Sequence, residues 1–189
     1  MCSMKNGQKL ASDPECNLQP TDTLEEMIQM ISDARLHFLC GKIASGKSTL
    51  SSKLAKRPQT IVLNEDEWLT KLYPGEITEL AHYVEKSALI KTLLENHIKQ
   101  LISAGLSVIM DFPANTPTQR KWLKSLAEVS AVPYIFHVLS VDNDECKKRL
   151  VARNLTGENP FKTSEAAFDL ITKHFSYPDS QEQLVCKFY

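Results

Sequence analysis

No apolar run in these 189 residues is longer than a few positions, so none is long enough to cross a bilayer. Neither sign of charge prevails: 22 Lys and Arg stand against 23 Asp and Glu, for a formal net charge of −1. That excludes a global basic field able to hold a long nucleic acid by its phosphates. A short or terminal nucleic-acid substrate stays open. No pair of cysteines has CxxC spacing; Cys2, Cys16, Cys40, Cys146 and Cys186 are far apart and odd in number. A disulfide framework and a zinc knuckle are therefore excluded, and reduced thiols in the cytoplasm are expected. His37, His82, His97, His137 and His174 show neither metal-ligand spacing nor a linked Ser or Cys nucleophile. They read as surface or hydrogen-bonded histidines, with His82 and Tyr83 as candidates to line a substrate pocket. The first twenty residues carry Lys5 and Lys9 but no apolar core, so no secretory signal is expected there.

What is present is an ordinary globular composition, 42% hydrophobic and 24% charged, in a length that suits one domain. A chain of this size buries roughly 70% of its unfolded surface without staples. Residues 1–22 read as a flexible tail. Thr23 and Glu26 have capping-box spacing, and Leu24, Met27, Ile28 and Ile31 follow at helical intervals, so an extra helix is expected over 23–33. The rest, 23–189, is expected to be a single domain in which strands and helices alternate. Strands are expected at 36–40, 60–63, 106–112, 133–139 and 184–189. Helices are expected at 47–56, 65–73, 78–103 (capped by Thr78, with Gly105 beyond its end), 118–129, 142–153 and 164–175. Residues 154–162, NLTGENPFK, read as a polar lid loop. Apolar strands separated by helices predict an α/β three-layer sandwich with a parallel sheet. In such sheets ligands bind beyond the carboxyl ends of the strands.

The strongest motif lies at such an end. Gly41-Lys42-Ile43-Ala44-Ser45-Gly46-Lys47-Ser48 fits GxxxxGK[ST] in full, between an expected strand and an expected helix. The glycines let the backbone curl until successive N–H groups point at phosphate oxygens. The helix that begins here, with Thr49 in its first turn, adds unpaired donors and a positive dipole end. Lys47 brings a full charge to the β- and γ-phosphates, and the Ser48 hydroxyl can ligate Mg²⁺. Lys42 adds potential or is merely solvated.

After the second strand comes Asn64-Glu65-Asp66-Glu67, where Asn64 suits an N-cap and acids suit a first turn. Asp66 is singled out as a base that can take the proton of an attacking hydroxyl. After the third strand, Asp111 ends an apolar run and can hold Mg²⁺ directly or through water. Asn115 and Arg120 follow; Arg120 reads either as a phosphate or substrate contact or as a surface ion pair. Arg149 and Arg153 are four apart on one helix face and can neutralise a phosphoryl group in transfer. Trp68 and Trp122 read as packing residues.

Together these residues resemble the small P-loop kinases. More narrowly they are similar to the AAA-type predicted ATPase/kinase family related to zeta toxins and chloramphenicol phosphotransferase, over about residues 35–189. The resemblance implies an adenylate-kinase-like core with strand order 2-3-1-4-5, ATP as phosphoryl donor, Mg²⁺, and a hydroxyl acceptor. By the same likeness Asp66 is the base, Lys47 and Ser48 serve phosphate and metal, and Arg149 and Arg153 are lid charges. The resemblance does not place the adenine pocket; residues 175–178, Phe-Ser-Tyr-Pro, are candidates to contribute to it. Three functions fit: transfer to a small-molecule hydroxyl, a polynucleotide or nucleoside 5′-hydroxyl kinase, and an ATP-hydrolysing switch or binding protein. The first is preferred, because one compact unit carries a base and a lid and has no basic run.

Overall fold

The computed structural model describes residues 33–156 and 163–189. The expected tail and N-terminal helix, apart from Asp33, lie outside the described residues, as does 157–162 of the expected lid. Five parallel strands form one sheet: β1 (Leu36–Cys40), β2 (Thr60–Asn64), β3 (Ser107–Asp111), β4 (Tyr134–Val138) and β5 (Cys186–Phe188). Their order is β2-β3-β1-β4-β5, as the resemblance implied. All five residues of β1 are buried, because it is the central strand and is covered on both faces.

Successive side chains alternate between the two faces of the sheet. Leu36, Phe38, Val108, Met110 and Phe136 enter one apolar cluster. It is closed by Ile90, Leu94 and Ile98 of α3 (Leu80–Ser103) and by Leu123 and Leu126 of α4 (Pro117–Ser130). Leu39 and Ile109 point the other way, onto Leu54 of α1 (Lys47–Leu54). Trp68 and Trp122 pack against Phe112 at ring-centroid distances of 6.3 and 5.9 Å, and so are packing residues.

Several boundaries differ from expectation for local reasons. Thr78 does not cap α3; its hydroxyl bonds with His82 Nδ1, and Glu79 occupies the cap position. Helix α4 starts one residue early, because Pro117 sits in its first turn and Thr116 forms a capping box with Gln119. Helix α5 (Asn143–Thr156) continues three residues into the segment expected to be loop. α6 (Glu165–Thr172) is capped by Ser164. A 3₁₀ turn, Ser180–Glu182, was not expected.

Two of the histidines are buried in the sheet. His37 of β1 and His137 of β4 are joined Nδ1 to Nε2 at 2.9 Å, and His137 Nδ1 reaches the Tyr189 hydroxyl at 2.8 Å. Burial, and then neighbouring positive charge, lowers both pKa values to about 4. Below pH 6.5 the unfolded chain therefore binds protons that the folded chain refuses, and stability falls as pH drops until both forms titrate near pH 4. The expected slope is about 1.4 kcal/mol per pH unit for each histidine. Urea unfolding at pH 7, 6 and 5 measures it, and the double variant His37→Gln/His137→Gln should flatten it.

Candidate functional site

Strand β1 ends at Cys40, and the chain turns at once into the phosphate loop. The turn requires left-handed backbone at Ala44 (φ 59°) and Gly46 (φ 103°), the latter giving access to α1. Gly46 is suited to that conformation, whereas Ala44 holds it at a cost of roughly 1 kcal/mol. A Cβ on Gly41 would stand 2.5 Å from Ser45 Oγ and 3.2 Å from Leu139 Cβ, so the tight curl of the loop beside Leu139, the residue after β4, needs glycine. Ile43 and Ala44 pack against a small cluster of Cys146, Leu150 and Phe168, which fastens the loop to α5 and α6. Lys47 Nζ donates to Gly41 O (2.7 Å) and Lys42 O (2.9 Å) across the curl. Burial lowers the Lys47 pKa, while Asp111, Cys40 and Asp66 act to raise it.

A cleft of about 830 Å³ opens above this loop at the carboxyl edge of the sheet. Its floor is Ile43, Ala44, Gly46, Lys47, Ser48 and Thr49. Gly41 and Ser45 are buried beneath it, and Lys42 turns away to donate to Val141 O at 3.2 Å. Asp66 stands in the first turn of α2 (Glu65–Leu72), whose N-cap is Asn64. Asn64 also donates from Nδ2 to Asp111 Oδ2 at 3.1 Å, because β2 and β3 pair these two residues directly. Sequence reasoning took Asn64 for a cap alone; strand register gives it the second task. Asp66 is exposed and opens onto the cleft. Partial desolvation first, then the charges of Glu65 and Asp111, push its pKa above the ordinary aspartate value, against Lys47 and Arg153. Burial also raises Asp111, opposed by Lys47 and the Asn64 hydrogen bond.

On the opposite wall stand Arg149 and Arg153 of α5. Arg149 Nε donates to Glu145 at 2.7 Å and NH1 reaches Ser45 O at 3.5 Å, so it bridges helix and loop. Glu67, Thr70, Lys71 and Thr163, which sequence reasoning did not select, complete the lining. Glu67 and Lys71 pair with each other at 2.6 Å.

Two expectations are corrected by placement. Arg120 is not in the cleft. It is fully buried, and its Nε and NH2 each donate to Glu182 at 2.7 Å, while NH1 donates to Ala114 O and Ser176 O. It is the fastener of the C-terminal segment and neither of the roles the sequence suggested. His82 and Tyr83 do not line the cleft either, because Tyr83 turns inward to Glu65. Removing one partner of a buried pair strands a charge. Arg120→Ala should therefore lower unfolding free energy by about 3–5 kcal/mol in a denaturant titration. Unchanged stability would refute the fastening role.

The donor set can take a polyphosphate with a divalent cation. The curled loop and Lys47 form the floor, the Ser48 hydroxyl and Asp111 carboxylate supply hard oxygen ligands, and Arg149 and Arg153 add positive charge to the lining.

Comparison with known proteins agrees with this architecture. A protein of Chloroflexus aurantiacus proposed to be a kinase superposes with a TM-score of 0.63 at 18% identity, over 82% of this chain and 86% of that one. The APS kinase of Mycobacterium tuberculosis, in complex with AMPPNP and APS, gives 0.54 at 16% identity over 82% and 88%. A sugar kinase from Janibacter sp. HTCC2649 gives 0.56 at 15% identity over 82% and 84%. No curated protein matches the sequence significantly. The family model described as AAA domain matches residues 36–178, so the chain belongs to that family and carries it on a small P-loop kinase fold.

Proposed function

We propose that this protein is an ATP-dependent phosphotransferase that moves the γ-phosphoryl group to a hydroxyl of a small molecule, with Mg²⁺, in the cytoplasm. The observation that carries the reading is a carboxylate, Asp66, placed in the same cleft as the phosphate loop, with its pKa raised by crowding and by Glu65 and Asp111. A base is most effective when its pKa lies near the working pH, so a raised carboxylate suits proton removal from an alcohol.

Lys47 and the loop amides bind the phosphates, and the positive end of α1 adds to them. Ser48 and Asp111 would hold Mg²⁺, which supplies positive charge to the phosphate oxygens when bound. Asn64 keeps the Asp111 carboxylate oriented through its hydrogen bond. Arg149 and Arg153 face the transferring group from α5 and stabilise charge on its equatorial oxygens. Asp66 accepts the acceptor's proton. The α2 wall suits a small acceptor: its lysine, Lys71, is already committed to Glu67.

The test is to offer the purified protein Mg-ATP and a panel of sugars, polyols, amino alcohols, nucleosides and a 5′-hydroxyl oligonucleotide. ADP release above the basal rate with a small hydroxyl compound, and a phosphorylated product, are expected. Stimulation by the oligonucleotide alone would overturn the small-molecule reading.

A further inference from the structure

The first turn of α2 contains a second carboxylate, Glu65, whose part in the proposed chemistry so far is only the charge it sets beside Asp66. Glu65 is 0% exposed, yet it is a carboxylate in an apolar interior. Its Oε2 accepts a hydrogen bond from the Tyr83 hydroxyl at 2.6 Å and its Oε1 one from Ser87 Oγ at 2.6 Å. Lys91 Nζ lies 3.9 Å from Oε1 and 4.9 Å from the centre of the Trp122 ring. Tyr83, Ser87 and Lys91 are successive residues of one face of α3. One carboxylate on α2 is thus clasped by a row of three side chains on α3.

Packing alone does not call for this arrangement. An apolar side chain of similar volume would fill the space without the desolvation cost of a buried charge. Hydrogen bonds, however, are directional, while apolar contact is not. Each residue turns 100° about a helix axis, so a small rotation of α2 would carry Asp66 away from the loop. Glu65 and Asp66 are adjacent, and holding one at a defined angle holds the other.

We propose that Glu65, clasped by Tyr83, Ser87 and Lys91, is a positioning residue that sets the rotation of α2 and thereby aims Asp66 at the phosphate loop. The inference rests on the reading of Asp66 as the base. Tyr83 and Ser87 then belong to the working site although neither touches the cleft.

The experiment uses Mg-ATP with water as acceptor in single turnover, so no acceptor needs to be known. Glu65→Leu keeps the volume and removes the clasp; it should lower the turnover rate at least ~10-fold with ATP affinity unchanged. Glu65→Gln retains acceptor and donor groups for both hydroxyls and should restore most of that loss. In the Asp66→Asn background, Glu65→Leu should cost less than about threefold, because a residue acting through Asp66 has little to lose once Asp66 is gone. Equal losses in both backgrounds, or a folded Glu65→Leu protein within about twofold of wild type, would overturn the proposal. If Glu65→Leu does not fold, Tyr83→Phe/Ser87→Ala enters the same cycle with the same expectations. Should Asp66→Asn itself leave turnover unchanged, the base assignment fails and the inference falls with it. A loss at Asp66 with none at Glu65 sinks the inference alone.

Discussion

Lys47→Ala is expected to abolish ATP turnover, with a loss of about 10³-fold or more, and to weaken nucleotide binding in the same measure. The ammonium is half-buried in the cleft floor and is fixed to the loop by Gly41 O and Lys42 O. A triphosphate entering the cleft exchanges two neutral carbonyl partners for anionic oxygens, which pair the ammonium with full negative charge. Removing the side chain also takes a donor from the Gly41 and Lys42 carbonyls, of which Lys42 O keeps the Ser45 N–H, so circular dichroism and melting must accompany the activity measurement. Equilibrium binding of a fluorescent ATP analogue separates the two effects. A folded variant with undiminished turnover would remove the central argument for nucleotide chemistry at this loop.

The second large effect is expected at Asp66. Asp66→Asn preserves the shape of the side chain and removes the proton acceptor. ATP affinity should stay within about twofold, and transfer should fall ~10²-fold or more, the usual contribution of a general base. The pH dependence provides a second readout. Crowding and the Glu65 charge raise the Asp66 pKa, so the fraction ready to accept a proton grows as pH rises through that value. Wild-type transfer should climb with pH on the acid side, and the Asn variant should lose that limb. A variant that binds ATP poorly but transfers normally would make Asp66 a structural member of the α2 first turn. The two substitutions thus probe different steps, binding at Lys47 and chemistry at Asp66, and their separation is itself informative.

The order of residues was enough for the parts whose physics is local. Eight consecutive residues suffice to curl a phosphate loop, because glycine placement and the following helix lie within the motif. Buried strands announce themselves as apolar runs such as LHFLC, and Asp66 and Asp111 could be singled out because each follows such a run. Strand order came from resemblance rather than from pattern, and the sheet has that order. Whatever depends on a partner far along the chain had to wait for the packing of strands and helices. Arg120 had equal claims as a phosphate contact or a surface pair until Glu182 closed on it from 62 residues away. His37 and His137 met across 100 residues because β1 and β4 are neighbours. The string of letters singled out Asp66 as the base and left its neighbour Glu65 as one more first-turn acid, with nothing to say where either side chain goes. Helical rotation sends one into the core against Tyr83 and Ser87 and the other into the cleft. A side chain's direction follows from which surface its helix buries, and that is decided only when the layers pack.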